Sequence, residues 1–123
     1  MGVIAFTVAG LLELTAIDSS AAGAAPHAAT AVTDYYIPST IEIQQGDGIT
    51  LINADPATEI KSWKGHTITE VGPNPRFDSG LVALGARGEV HGVPQLATGT
   101  YEFVCRVYPF MRGRLIVYGS ISL

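Results

Sequence analysis

This sequence predicts an all-β domain, a Greek-key sandwich or flattened barrel of seven to eight short strands. Three observations predict it. Apolar and polar residues alternate in short runs with a period of two, the pattern of strands buried on one face. Fourteen glycines and seven prolines cut the chain at short intervals, which favours many short strands over a few long helices. No stretch carries apolar residues at the spacing of an amphipathic helix.

The bulk properties bound the rest. At 123 residues the chain holds one domain with a real core and is too short for two. A hydrophobic content of 47% with 15% charged residues describes a globular chain, not a disordered one. The net charge of −4 and pI near 5.1 argue against nucleic acid as a partner. Nor is there a polybasic patch for an anionic membrane.

The elements follow in order. Val3 to Leu12 is an uncharged apolar run, followed by the small-residue stretch Ser19 to Ala25. It reads as a secretory leader with its cleavage region, although no positive charge precedes Val3; the alternative is an extra N-terminal strand. The run is shorter than the roughly 20 apolar residues that span a bilayer, so no membrane span is expected in the mature form. Residues 1–28 are accordingly read as leader and linker, or as that extra strand, and 29–123 as the domain. Ala21 to Thr30 has a linker composition, which makes His27 a solvated loop residue.

Thr40-Ile41-Glu42-Ile43 alternates, and Gln45-Gly46-Asp47-Gly48 turns the chain. Ile49 to Asn53 alternates again and stops at the turn cluster Asn53-Ala54-Asp55-Pro56. Lys61-Ser62-Trp63-Lys64 suggests a brief irregular insert. His66 to Val71 is a further strand, ended by Gly72-Pro73-Asn74-Pro75, and Gly88 to Val93 another. Gly99 to Val104 and Gly113 to Tyr118 complete the set, with most strands buried on one face in an antiparallel arrangement.

The single cysteine, Cys105, excludes an intrachain disulfide. A lone cysteine is ordinarily a small buried hydrophobe. Its surroundings argue otherwise, because it leaves a strand into Arg106-Val107-Tyr108-Pro109-Phe110-Met111-Arg112-Gly113. That short turn brings a second sulfur, Met111, six residues beyond the first.

Several segments together resemble the cupredoxins, the small blue-copper proteins. They are Asp34-Tyr35-Tyr36-Ile37-Pro38 through Gln45-Gly46-Asp47, then Asn53-Ala54-Asp55 ahead of Gly65-His66-Thr67. Phe77-Asp78-Ser79-Gly80 and Gly99-Thr100-Tyr101 leading into Cys105 follow. The resemblance covers roughly residues 30–118, and the length of the Cys-to-Met loop is most similar to that of amicyanin- and plastocyanin-like members. It implies a cupredoxin-like Greek-key sandwich holding one copper ion for single-electron transfer, in a periplasmic or extracellular setting.

By the same resemblance the metal ligands are His66, Cys105 and Met111, with Tyr108 at the position where the family carries its second histidine. A blue-copper site places two imidazoles and a thiolate in a trigonal arrangement with a long axial thioether. Tyr108 departs from that pattern, since a phenol ionises near pH 10 and offers a hard oxygen. Three outcomes stand open: Tyr108 ligates Cu(II) as phenolate; it turns away and leaves a three-donor site preferring Cu(I); or no copper binds and its ring fills the pocket. His91 and His27 are the remaining histidines and have no counterpart among family ligands.

The resemblance also implies a redox partner docking at the Tyr108-Pro109-Phe110 loop, beside Arg106, Arg112 and Arg114. No phosphate-binding glycine loop, nucleophile elbow or Ser-His-Asp order is visible, and Asp78-Ser79 is a turn. An electron carrier and not an enzyme is expected; a Cu(I) carrier or buffer and a metal-free binding or structural module are the alternatives.

Overall fold

A computed structural model describes residues 26–56 and 65–119. The leader or extra strand expected within residues 1–25 and the insert expected at Lys61 to Lys64 lie outside the described residues. Eight strands are formed among those described: β1 (Pro26–Val32), β2 (Tyr35–Ile37), β3 (Thr40–Gln44), β4 (Gly48–Asn53), β5 (Thr69–Glu70), β6 (Arg87–Glu89), β7 (Gly99–Val104) and β8 (Arg112–Tyr118). They build two four-stranded sheets, ordered β2-β1-β4-β6 and β3-β8-β7-β5.

Alternation along each strand decides which face is inside. Ile41 and Ile43 of β3, Ile49 and Leu51 of β4, Tyr101 and Phe103 of β7, and Leu115 and Val117 of β8 are all buried. Their neighbours point outward. Together with Phe77, Ile68 and Met111 they form one core between the sheets. Each large apolar side chain withdrawn from water contributes about 1.5–3 kcal/mol, so the core and not strand propensity holds the sheets together.

The all-β sandwich of the expected strand number is what forms, but it is not wholly antiparallel. β1 pairs parallel with β4, and β3 pairs parallel with β8. The chain produces this by changing sheets at Pro38-Ser39, between β2 and β3, before returning to the first sheet as β4. Crossing connections of this kind allow strands remote in sequence to run side by side in the same direction.

Three local expectations are corrected. Residues 26–30 are not linker but the first part of β1, paired along β4 from Pro26↔Gly48 onward. His27 therefore sits on a strand, and its Nε2 lies 2.9 Å from Asp47 Oδ2. The expected strand from His66 to Val71 is reduced to Thr69–Glu70, with isolated bridges from His66 to Val82 and from Thr69 to Asp78. The strand expected at Gly88 to Val93 is likewise cut short, ending at Glu89 before the 3-10 turn Val93–Gln95.

Candidate metal centre

The site forms where three segments converge: the chain entering at Gly65-His66, the end of β7 at Cys105, and the turn from Cys105 to Met111. Gly65 has φ +81°, and a Cβ there would lie 2.7 Å from the Val82 carbonyl oxygen. Only glycine lets the chain pass this close. The approach fixes His66, whose N–H donates to Val82 O at 3.1 Å while its own carbonyl accepts from Val82 N at 2.8 Å.

The turn after Cys105 is closed by its backbone. Cys105 N donates to Met111 O at 3.1 Å, and Met111 N donates to Tyr108 O at 2.8 Å. Gly113 follows because the Phe103 ring covers it: a Cβ there would come within 2.3 Å of the Phe103 ring and 2.8 Å of Ser39 O. A polar relay joins this loop to the His66 segment. Arg106 N donates to Thr67 Oγ1 at 3.0 Å, Thr67 Oγ1 meets Thr69 Oγ1 at 2.9 Å, and Thr69 Oγ1 donates to Asp78 Oδ1 at 2.8 Å.

Within that frame His66 Nδ1 lies 3.8 Å from Cys105 Sγ, with both residues fully buried. The other ring nitrogen, Nε2, lies 2.6 Å from Asp55 Oδ2. The Asp55 carboxylate accepts from Nε2–H and orients the ring so that Nδ1 faces the sulfur. Thr67 N donates to Sγ at 3.5 Å. Tyr36, also buried, donates from its hydroxyl to Thr67 O and packs edge-on against Phe103.

The electrostatics favour the thiolate. Burial pushes the Cys105 thiol up, but hydrogen bonds from His66 and from the backbone of Thr67, Tyr108 and Val107 outweigh it and hold the group below the ordinary thiol range. Burial pulls the His66 imidazolium down, and the hydrogen bonds with Cys105 and Asp55 overcome that and raise it. Tyr36 is pushed far up, first by burial and then by the Cys105 charge, so its phenol stays protonated.

Do these donors fit a copper ion? With metal–sulfur and metal–imidazole distances of about 2.3 and 2.0 Å, two donors 3.8 Å apart subtend an angle of about 120° at the ion. That is the angle of a trigonal plane. Among the described residues no group of three or more His, Cys, Asp or Glu is disposed to hold a metal, so a third donor has to be a residue of another kind. Met111 is buried, 1% exposed, at the base of the loop, and its thioether is a soft donor.

Tyr108 is half-buried against the core, with its ring centroid 5.4 Å from that of His66 and 6.2 Å from that of Phe110. Phe110 is exposed. His91 is exposed and faces Glu89, and His27 is paired with Asp47. The structure brings the His66 and Cys105 side chains together, and the contacts of Asp55 and Tyr36 beside them are ones sequence reasoning missed. Asp55 stands in the sequence as part of a turn cluster and of a family-like segment; no spacing rule links an aspartate to a histidine eleven positions on.

No family model and no curated relative matches the sequence. Solved structures do match. The reduced Cu(I) form, at pH 4, of an amicyanin variant superposes with a TM-score of 0.57 at 22% identity, over 77% of this chain and 82% of that one. An oxidised amicyanin variant gives 0.56 at 17%, over 73% and 79%. A copper-containing nitrite reductase from Thermus scotoductus SA-01 gives 0.61 at 23%, over 78% of this chain but only 23% of the reductase. The fold is the cupredoxin-like β-sandwich.

Proposed function

We propose that the chain is a copper-binding electron-transfer protein, a single-electron shuttle and not an enzyme. It holds one copper ion through His66 Nδ1, Cys105 Sγ and the Met111 thioether, with Tyr108 beside them where an imidazole stands in the family it resembles. The observation that carries this reading is the 3.8 Å approach of His66 Nδ1 to Cys105 Sγ in a fully buried setting. The copper neighbours in fold support it.

Bound copper supplies a one-electron couple between Cu(I) and Cu(II). What the chain contributes is rigidity. Asp55 fixes the His66 ring, the Thr67 N–H orients the thiolate, and the closed Cys105–Met111 turn holds the thioether in place. Donors that are already positioned change little between oxidation states, which keeps the reorganisation small.

The partner docks at the loop Tyr108-Pro109-Phe110, where exposed Phe110 reaches solvent beside the buried site. Arg112 sets positive charge beside it, which steers an oppositely charged partner, while Arg106 and Arg114 pair with Asp78 at 3.5 Å and Glu102 at 3.6 Å. No helix among the described residues is long and apolar enough to cross a membrane, and the reading carries with it a periplasmic or extracellular location.

A second reading, a Cu(I) carrier or buffer, is favoured by one feature: the donor at the family's second-histidine position is a phenol. A neutral phenol gives Cu(I) almost nothing, and two sulfurs with one imidazole suit Cu(I) by themselves. Adding Cu(II) and then Cu(I) under anaerobic conditions tests both readings. An intense visible thiolate-to-copper band with reversible one-electron reduction supports the shuttle. Stoichiometric Cu(I) uptake without that band supports the carrier, and no uptake of either ion leaves a metal-free module.

A further inference from the structure

Asp55 is bound into the site more firmly than a turn residue needs to be. Its side chain and that of His66 are both 0% exposed, and they meet at 2.6 Å. The second carboxylate oxygen accepts from the N–H of Thr33 in the β1–β2 turn, where Thr33 holds φ 56°, a conformation a β-branched residue seldom adopts. The Asp55 N–H donates to Asn53 Oδ1 at 3.0 Å, and Asn53 Nδ2 donates to Val82 O at 2.9 Å. That same Val82 carbonyl accepts from His66 N. One network thus fixes the aspartate and the histidine against each other.

We propose, on the strength of the copper reading above, that Asp55 is a positioning residue that sets the preference between the two copper oxidation states. A buried carboxylate hydrogen-bonded to Nε2–H makes the imidazole a stronger donor at Nδ1. It also places negative charge one ring away from the ion, in surroundings that screen it weakly. Both effects favour Cu(II) over Cu(I), because Cu(II) carries the larger charge. A site with one imidazole and a phenol lacks the second neutral nitrogen that would otherwise stabilise Cu(II), and Asp55 makes up part of that loss without entering the coordination sphere.

The test compares wild type with Asp55→Asn and Asp55→Glu, measuring Cu(II) and Cu(I) affinities by competition and the reduction potential by voltammetry. In Asp55→Asn, Cu(II) affinity falls about 10- to 100-fold while Cu(I) affinity falls less. The potential rises by about 59 mV for each tenfold difference between the two losses, and Asp55→Glu restores it in part. Equal losses for both ions, with an unchanged potential, overturn the proposal and leave Asp55 a structural residue. Should Asp55→Asn not fold, nitrogen NMR of Cu(I)-loaded wild type decides: a downfield, slowly exchanging Nε2 proton on His66 is expected, and its absence overturns the proposal. Wild type that takes up no copper at all overturns the copper reading itself, a result distinct from either.

Discussion

The ring of Tyr108 lies against the imidazole of His66, their centroids 5.4 Å apart and their planes tilted by 57°. By the resemblance a second imidazole would stand at the Tyr108 position, and this contact suggests the most direct test of the ligand assignment. Tyr108→His introduces an imidazole in place of the ring that packs against His66 without disturbing the backbone turn, which is held by Tyr108 O and Met111 N. The variant is expected to gain or intensify a visible copper–thiolate band, with Cu(II) affinity up by at least about tenfold, the scale of tuning seen at metal sites. A variant as colourless as its parent on saturation with Cu(II) rules the assignment out.

Met111 is buried, and its role separates into packing and ligation. Met111→Leu conserves volume and is expected to cost under about 1.5 kcal/mol, so the fold survives. If the thioether faces the ion, the leucine variant keeps copper through His66 and Cys105 but shifts both the visible band and the reduction potential, because the weak axial donor tunes them. Unchanged spectrum and potential would mark Met111 as core filler.

The strands were legible because alternation is a local property: Ile41/Ile43, Ile49/Leu51, Tyr101/Phe103 and Leu115/Val117 each face inward as their spacing requires. Cys105 and His66 were legible only through the order of motifs around them. The parallel pairs β1–β4 and β3–β8 were not, since direction depends on which sheet the chain enters and not on any residue pattern. The strand at His66 was overread. Its residues are buried without alternation, from Gly65 to Glu70 in an unbroken run, because the segment is held by Tyr36, Ser79, Val82 and Cys105 and not by one neighbouring ladder. The pairing of Asp55 with His66 was not legible for a related reason: it is set by tertiary approach alone.

Gly113 tests the packing beneath the loop independently of any metal. Its missing Cβ is the space occupied by the Phe103 ring, 2.3 Å away, with Ser39 O on another side at 2.8 Å. Tyr36 packs against that ring in a T-shaped pair with centroids 5.0 Å apart and opposes its retreat. Gly113→Ala is therefore expected to destabilise the domain by about 1–3 kcal/mol, the usual cost of overpacking. Each kcal/mol lowers the unfolding temperature by about 4–8 °C in a domain of this size. A thermal melt within a degree of wild type would show that the ring moves freely.

Glu70 gives the pH dependence. Its carboxylate accepts from Arg76 N at 2.7 Å and Arg76 Nε at 3.0 Å, and also pairs with the terminal guanidinium nitrogen, while the guanidinium stacks over Tyr101 at 4.8 Å. The Arg76 side chain holds Glu70 below the usual carboxylate range against the opposing effect of burial, with the backbone N–H of Arg76 helping. A depressed folded value means the stabilisation is fully present above the unfolded glutamate value of about 4.3 and is lost as pH falls through the lower folded value. Glu70→Gln removes the charge at every pH. Its melting temperature is therefore expected to lie below that of wild type near neutrality and to converge with it in acid, once the wild-type carboxylate is protonated. Arg76 is largely exposed, so solvent and salt screen the pair and the gap near neutrality stays small, narrowing further in high salt. Melts by circular dichroism at neutral and acid pH decide it: a gap that stays constant across that range would assign the loss to shape and not to charge.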